Sequence, residues 1–129
     1  MEQREDEYIS EHKGWLETLD MLQLEIVLLK DHVSELAQHQ LKTTILEKIE
    51  FFQNSFLDKD IVIALLLQDI RQLRDTLSVA YAILAPVLIK RLSKKQEQLR
   101  IDIGKLEKEV KNCVPGLINV FIKYSCIVN

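Results

Sequence analysis

Along nearly the whole chain, apolar residues recur at steps of four and three, and that rhythm admits few folds. In the first third it runs Tyr8, His12, Trp15, Leu19, Leu22, Ile26, Leu29, Val33 and Leu36. Alternating steps of this kind keep side chains on one stripe of an α-helix, as at the a and d positions of a heptad. A half-buried strand would alternate at every second residue instead. The helix so defined runs from Arg4 to about Ala37, roughly 50 Å at 1.5 Å per residue. Leu16, Leu24, Val27 and Leu28 widen the stripe, which predicts a multi-helix bundle rather than a two-stranded coil.

The first stripe ends in the polar stretch Gln38–Lys42. Thr44 with Glu47 three residues on forms a candidate capping box, each side chain answering the other's free amide. A second stripe follows through Ile45, Ile49, Phe52, Phe56, Ile63, Leu66, Ile70, Leu73 and Leu77, interrupted only at Lys59. Asp58-Lys59-Asp60 has the composition of a loop, but a loop would reset the phase, which does not change. One continuous helix with a polar layer at Lys59 is therefore expected. The third stripe is Leu92, Leu99, Ile103, Leu106, Val110, Cys113, Leu117, Val120 and Tyr124, with Lys95 and Asp102 as polar layers or edge positions. Ser93 with Gln96 is the expected cap at its start. Pro115-Gly116 lies inside it, where interior Pro and Gly cost roughly 3 and 1 kcal/mol. Because the phase survives, a kinked helix is expected, the alternative being a break there and a fourth helix.

Three such stripes predict an all-α fold, a long antiparallel up-down-up three-helix bundle in one domain spanning 1–129, or a four-helix bundle if Pro115-Gly116 breaks the chain. Three glycines and two prolines in 129 residues are too few for a sheet joined by tight turns. An apolar share of 47% with 29% charged residues suits a folded domain, not a disordered one. The acidic, polar start (Met1–Tyr8) does not read as a secretory leader. The longest uncharged run, 76–89, falls short of the roughly 20 apolar residues of a membrane span. Cys113 and Cys126, if carried on one straight helix, lie about 20 Å apart along its axis, beyond disulfide reach. Free thiols in a reducing cytoplasm are expected.

Glu11-His12-Lys13-Gly14-Trp15-Leu16 resembles the Glu-His-Lys-x-Trp-Leu opening of a family of small bacterial long-helix proteins with no known activity. The resemblance continues through 45–69, with Glu50-Phe51-Phe52-Gln53-Asn54-Ser55-Phe56 similar to that family's second helix, and returns faintly at 118–124. It implies a long-helix bundle and no particular function. Relatives tend to carry further histidines in the second helix where this chain has Phe51 and Gln68, so the resemblance carries over no metal role.

The remaining residues offer few catalytic or metal-binding patterns. A di-iron carboxylate bundle needs Glu-x-x-His pairs, and the residues three before His12, His32 and His39 are Ile9, Leu29 and Leu36. Glu35 with His39 is a two-ligand coincidence at a helix end. His12 lies on the apolar stripe, and two readings stand: a boundary histidine hydrogen-bonded to a neighbour, or a metal ligand joined by helix-two carboxylates such as Glu50 or Asp69. Cys113 has no histidine near it in sequence and falls on the core stripe, as an inert thiol would. No phosphate loop, nucleophile elbow or Cys-x-x-Cys is present. The expectation is a non-enzyme without a cofactor.

Two features point to contact with other molecules. Residues 1–36 hold ten acids against Arg4, Lys13 and Lys30, while 87–111 hold eight bases against four acids. In an up-down-up bundle these helices are parallel neighbours, so the charges complement each other. Nucleic-acid binding is not expected from a chain of net charge −3. The second feature is the reversal between Leu77 and Leu92, where Pro86 marks the turn but Tyr81, Ile83, Leu84 and Val87 make it apolar. Such a tip either caps its own bundle or is covered by a second copy or another protein. A homodimer built from a structural or protein-interaction module is the expectation, with Tyr81, Ile83, Leu84 and Val87 as contact residues.

Overall fold

A computed structural model describes residues 2–39 and 42–128, and the side chains of 5–39, 42–120 and 122. Three α-helices account for nearly all of it: α1 (Glu2–Ala37), α2 (Thr43–Ala82) and α3 (Pro86–Val128). Each packs on the other two in an up-down-up bundle, α1 touching α3 least. The heptad stripes face inward and form one core along the bundle, from Trp15 to Leu36, Ile45 to Tyr81 and Ile89 to Val120. Tyr124 and Cys126, assigned to the end of the third stripe and its tail, have side chains outside the described residues.

Asp58-Lys59-Asp60 is helical, as the unbroken phase requires. Lys59 makes the polar layer half-buried, its Nζ donating to Ser55 Oγ at 2.7 Å, and Asp60 pairs with Lys30 across the α1–α2 groove. α3 likewise runs through Pro115 without ending, which removes the four-helix alternative. Gly116 has a packing role there. The Phe52 ring lies against it so closely that a Cβ at this position would stand 2.7 Å from Cζ, so the missing side chain lets α2 and α3 meet.

Both expected capping boxes are corrected. α2 is capped by Lys42, in extended conformation and with no side-chain bond. Its carbonyl accepts from Ile45 and Leu46 at 3.0 and 3.1 Å, and Thr44 is already inside the helix. α3 begins at Pro86, seven residues before Ser93. Proline suits a first helical position because its absent N–H would be unpaired there anyway. The polar layer of the third stripe is also corrected: Gln96, not Lys95, is the buried residue, at 1% exposure. Counting Gln96 completes the rhythm 92, 96, 99, 103. Finally, Leu24, Val27 and Leu28 do not widen the inward stripe of α1. They lie on its outer face, 64%, 52% and 60% exposed.

Candidate interaction surfaces and the buried polar layer

The reversal between α2 and α3 takes three residues. Ala85 N–H donates to Ala80 O at 3.0 Å and Leu84 N–H to Tyr81 O at 3.3 Å, the paired bonds of a Schellman motif. That motif needs a left-handed residue just past the helix, usually glycine. Leu84 occupies it with φ 52°, a conformation that crowds Cβ against the backbone by about 1 kcal/mol or more. No glycine marks this turn, so its form was hidden in the sequence although Pro86 gave its place.

Of the four residues expected at the tip, three are at the surface: Ile83, Leu84 and Val87 are 65%, 69% and 71% exposed. Val79, one turn earlier, joins them. Tyr81 does not. It is buried in the core at 8% exposure, because α2 continues to Ala82 and its last turn still presents an inward face. The tip therefore does not fold back as a cap on its own bundle.

At the same end of the bundle a polar layer crosses the core. His12 is fully buried, and its Nε2 lies 2.6 Å from Gln96 Oε1. A carbonyl oxygen can only accept, so Nε2 carries the proton and Nδ1 the lone pair. The Gln96 amide in turn donates to Glu11 Oε1 at 2.7 Å. Arg100 grips Glu11 in a bidentate pair, through Nε at 2.8 Å and Nη2 at 2.7 Å. Tyr8 and Ser93 join by their hydroxyls at 2.8 Å, one turn away. This Glu11–Arg100 pair is one instance of the charge complementarity expected between α1 and α3.

Electrostatics follow from the burial. Desolvation pushes the His12 imidazole below the ordinary histidine value, against the Gln96 carbonyl, and Arg74 of α2 pushes the same way as desolvation. The ring is neutral and stacks on Trp15 at 5.2 Å. Glu11 is held below the usual carboxylate range, chiefly by its bonds to Arg100. Nδ1 of His12 is buried with no hydrogen-bond partner. The partner of His12 thus comes from α3 and is an amide; the structure does not bring Glu50 or Asp69 to it. Among the described residues no three His, Cys, Asp or Glu side chains are placed to hold a metal ion.

Cys113 is buried on α3, its Sγ donating to Glu109 O at 3.3 Å, and burial raises its pKa. A thiol so held is a poor nucleophile. Among the described residues no helix is long and apolar enough to cross a membrane. Comparison with protein families, curated proteins and solved structures finds no match.

The surface feature that sequence reasoning missed is the second apolar set on α1 and α2. Met21, Leu24, Val27 and Leu28 on α1, and Phe51, Leu57, Ile61, Val62 and Leu65 on α2, are all exposed. α3 also exposes Val87, Ile101, Ile118 and Ile122, spread among charged residues such as Lys105, Lys108 and Lys111. The signal was in the sequence, since a single inward stripe cannot use apolar residues on several sides of one helix.

Proposed function

We propose that this chain is a non-enzymatic helical-bundle module whose work is contact between proteins, self-association included, and that its apolar tip is a contact surface. The observation that carries this is Leu84, a large apolar side chain held outward in a strained backbone position that glycine fills at no cost. Strain kept at an exposed apolar residue is a common mark of a binding surface. With Val79, Ile83 and Val87 beside it, the tip leaves an apolar patch in water at about 25 cal/mol per Å². Neither the polar layer nor Cys113 supplies a reactive group. The reading invokes no cofactor, no metal and no nucleic acid, and a buried unpaired thiol fits the reducing cytoplasm.

Sedimentation velocity over a hundredfold dilution series tests the reading. Concentration-dependent association of the wild-type chain is expected, and a protein that is monomeric at every concentration would remove self-association. The variant Ile83→Ser/Leu84→Ser/Val87→Ser then tests the tip, and Tyr81 is left alone because changing it would test the core. Unchanged association in that variant would assign the contact between copies to another surface.

A further inference from the structure

Resting on that reading, we propose where two copies meet: on the outer face of the α1–α2 pair, about a two-fold axis that runs along the bundle. Cross-helix contacts define this face. Lys30 reaches Asp60 over the α1–α2 groove, whereas Glu11 reaches Gln96 and Arg100 on the opposite side of α1. Val27 lies one turn before Lys30 and Leu24 one turn before that. Leu57 and Ile61 lie one turn before and one residue after Asp60. These four side chains therefore line one face, and they are 64% (Leu24), 52% (Val27), 55% (Leu57) and 60% (Ile61) exposed. The pairs His12–Gln96 and Phe52–Gly116 fix the helix register and put the four at one height.

Area and charge both point to a second copy as the occupant. The four side chains offer on the order of 400 Å² of apolar surface. That is the apolar share of the roughly 800 Å² each partner gives a standard interface, a little over half of which is apolar. Toward the tip, α1 carries exposed Lys13 and Asp20, and α2 carries exposed Arg71 and Asp75. Among the described residues none of these four makes an ion pair within the chain. An axis along the bundle sets α1 of one copy antiparallel beside α2 of the other at equal height. Asp20 then faces the second copy's Arg71, and Lys13 its Asp75, each pair occurring twice. An axis across the bundle would instead turn Asp20 toward Asp31, a like charge. The favoured arrangement closes on itself, so association stops at the dimer. It also sets both tips at the same end.

The test is sedimentation of the full chain with three sets of surface variants, their helicity checked by circular dichroism. Leu24→Ser/Val27→Ser/Leu57→Ser/Ile61→Ser is expected to raise the dimer dissociation constant at least a hundredfold. Ile101→Ser/Ile118→Ser, exposed residues on α3 and outside this face, is expected to leave it within threefold of wild type. Asp20→Arg and Arg71→Asp should each weaken the dimer about tenfold, and the two together in one chain should restore most of the loss. A dimer that the four-serine variant leaves intact overturns this interface while the interaction reading stands. A wild-type chain that never associates overturns both. Failure of the charge reversals to rescue each other overturns the axis.

Discussion

Leu84 is the residue at which local preference and fold disagree most openly. Its backbone sits at φ 52° while its side chain, 69% exposed, buries little in return. Leu84→Gly removes the crowding at Cβ and adds some entropy to the unfolded chain, so a net gain of about 0.5–1 kcal/mol is expected from urea unfolding. A loss instead would mean that Leu84 packs usefully on its neighbours. His12 gives a second residue-scale prediction, with a definite sign. Its folded pKa is lowered from the ordinary 6.5. Between that lower value and about 6.5 the unfolded chain therefore binds more protons, and stability falls as pH falls. Arg74 and Glu11 face the ring, and Glu11 adds its own loss. The stability from its depressed pKa is present above 4.5 and disappears as pH drops through the folded value. Unfolding midpoints measured across this range should decline in two stages. A midpoint flat from pH 7 to pH 5 would mean that His12 is as easily protonated in the fold as out of it.

At the scale of the helix, the rhythm of apolar residues made most of the fold legible. It carried α2 through Asp58-Lys59-Asp60 and α3 through Pro115 because phase is a long-range property that no single polar or breaking residue resets. It failed where chemistry, not periodicity, decides. Gln96 fills the step between Leu92 and Leu99, but three residues after Ser93 an amide reads as a cap partner and not as a core position. The caps failed because Lys42 and Pro86 start helices with backbone geometry alone. The tip was legible as an exposed apolar segment, yet Tyr81 turned inward because the helix outlasted the expected turn. Gly116 shows how an apparent breaker can serve packing, and its substitution should change sign with its neighbour. Gly116→Ala gains about 1 kcal/mol of helix propensity but meets the Phe52 ring, and overpacking costs about 1–3 kcal/mol. A net loss is expected in the wild-type chain. In a Phe52→Leu background the same change should stabilise by up to about 1 kcal/mol, which a double-mutant cycle by chemical unfolding would show. Equal effects in both backgrounds would mean that the ring moves aside freely.

For the whole molecule, the question is what stops three long, repetitive stripes from sliding past one another. A shift of one heptad, about 10 Å along the axis, would still bury Leu, Ile and Val against Leu, Ile and Val. It would not preserve the polar layer. Among the described residues His12 and Gln96 are the buried polar ones, at 0% and 1% exposure, and a one-heptad slip of α1 against α3 would leave both without their partner in an apolar layer. Burying an unpaired amide or imidazole costs about 1–3 kcal/mol for each group, so the layer penalises every register but one, much as a single buried asparagine does in a coiled coil. The same layer adds little to stability, since Nδ1 of His12 is unsatisfied even in the native register. The two effects separate in variants. Gln96→Leu alone strands the Nε2 proton of His12 and should cost about 2 kcal/mol. His12→Leu/Gln96→Leu should recover that loss or exceed wild-type stability, and its unfolding should lose the first of the two acid stages. If the layer sets register, the more stable double variant also populates more than one packing, seen as doubled or broadened amide resonances near Trp15 and Leu99. A single sharp set of resonances would show that the two turns, with the Tyr8–Ser93 and Glu11–Arg100 contacts, hold the register without it.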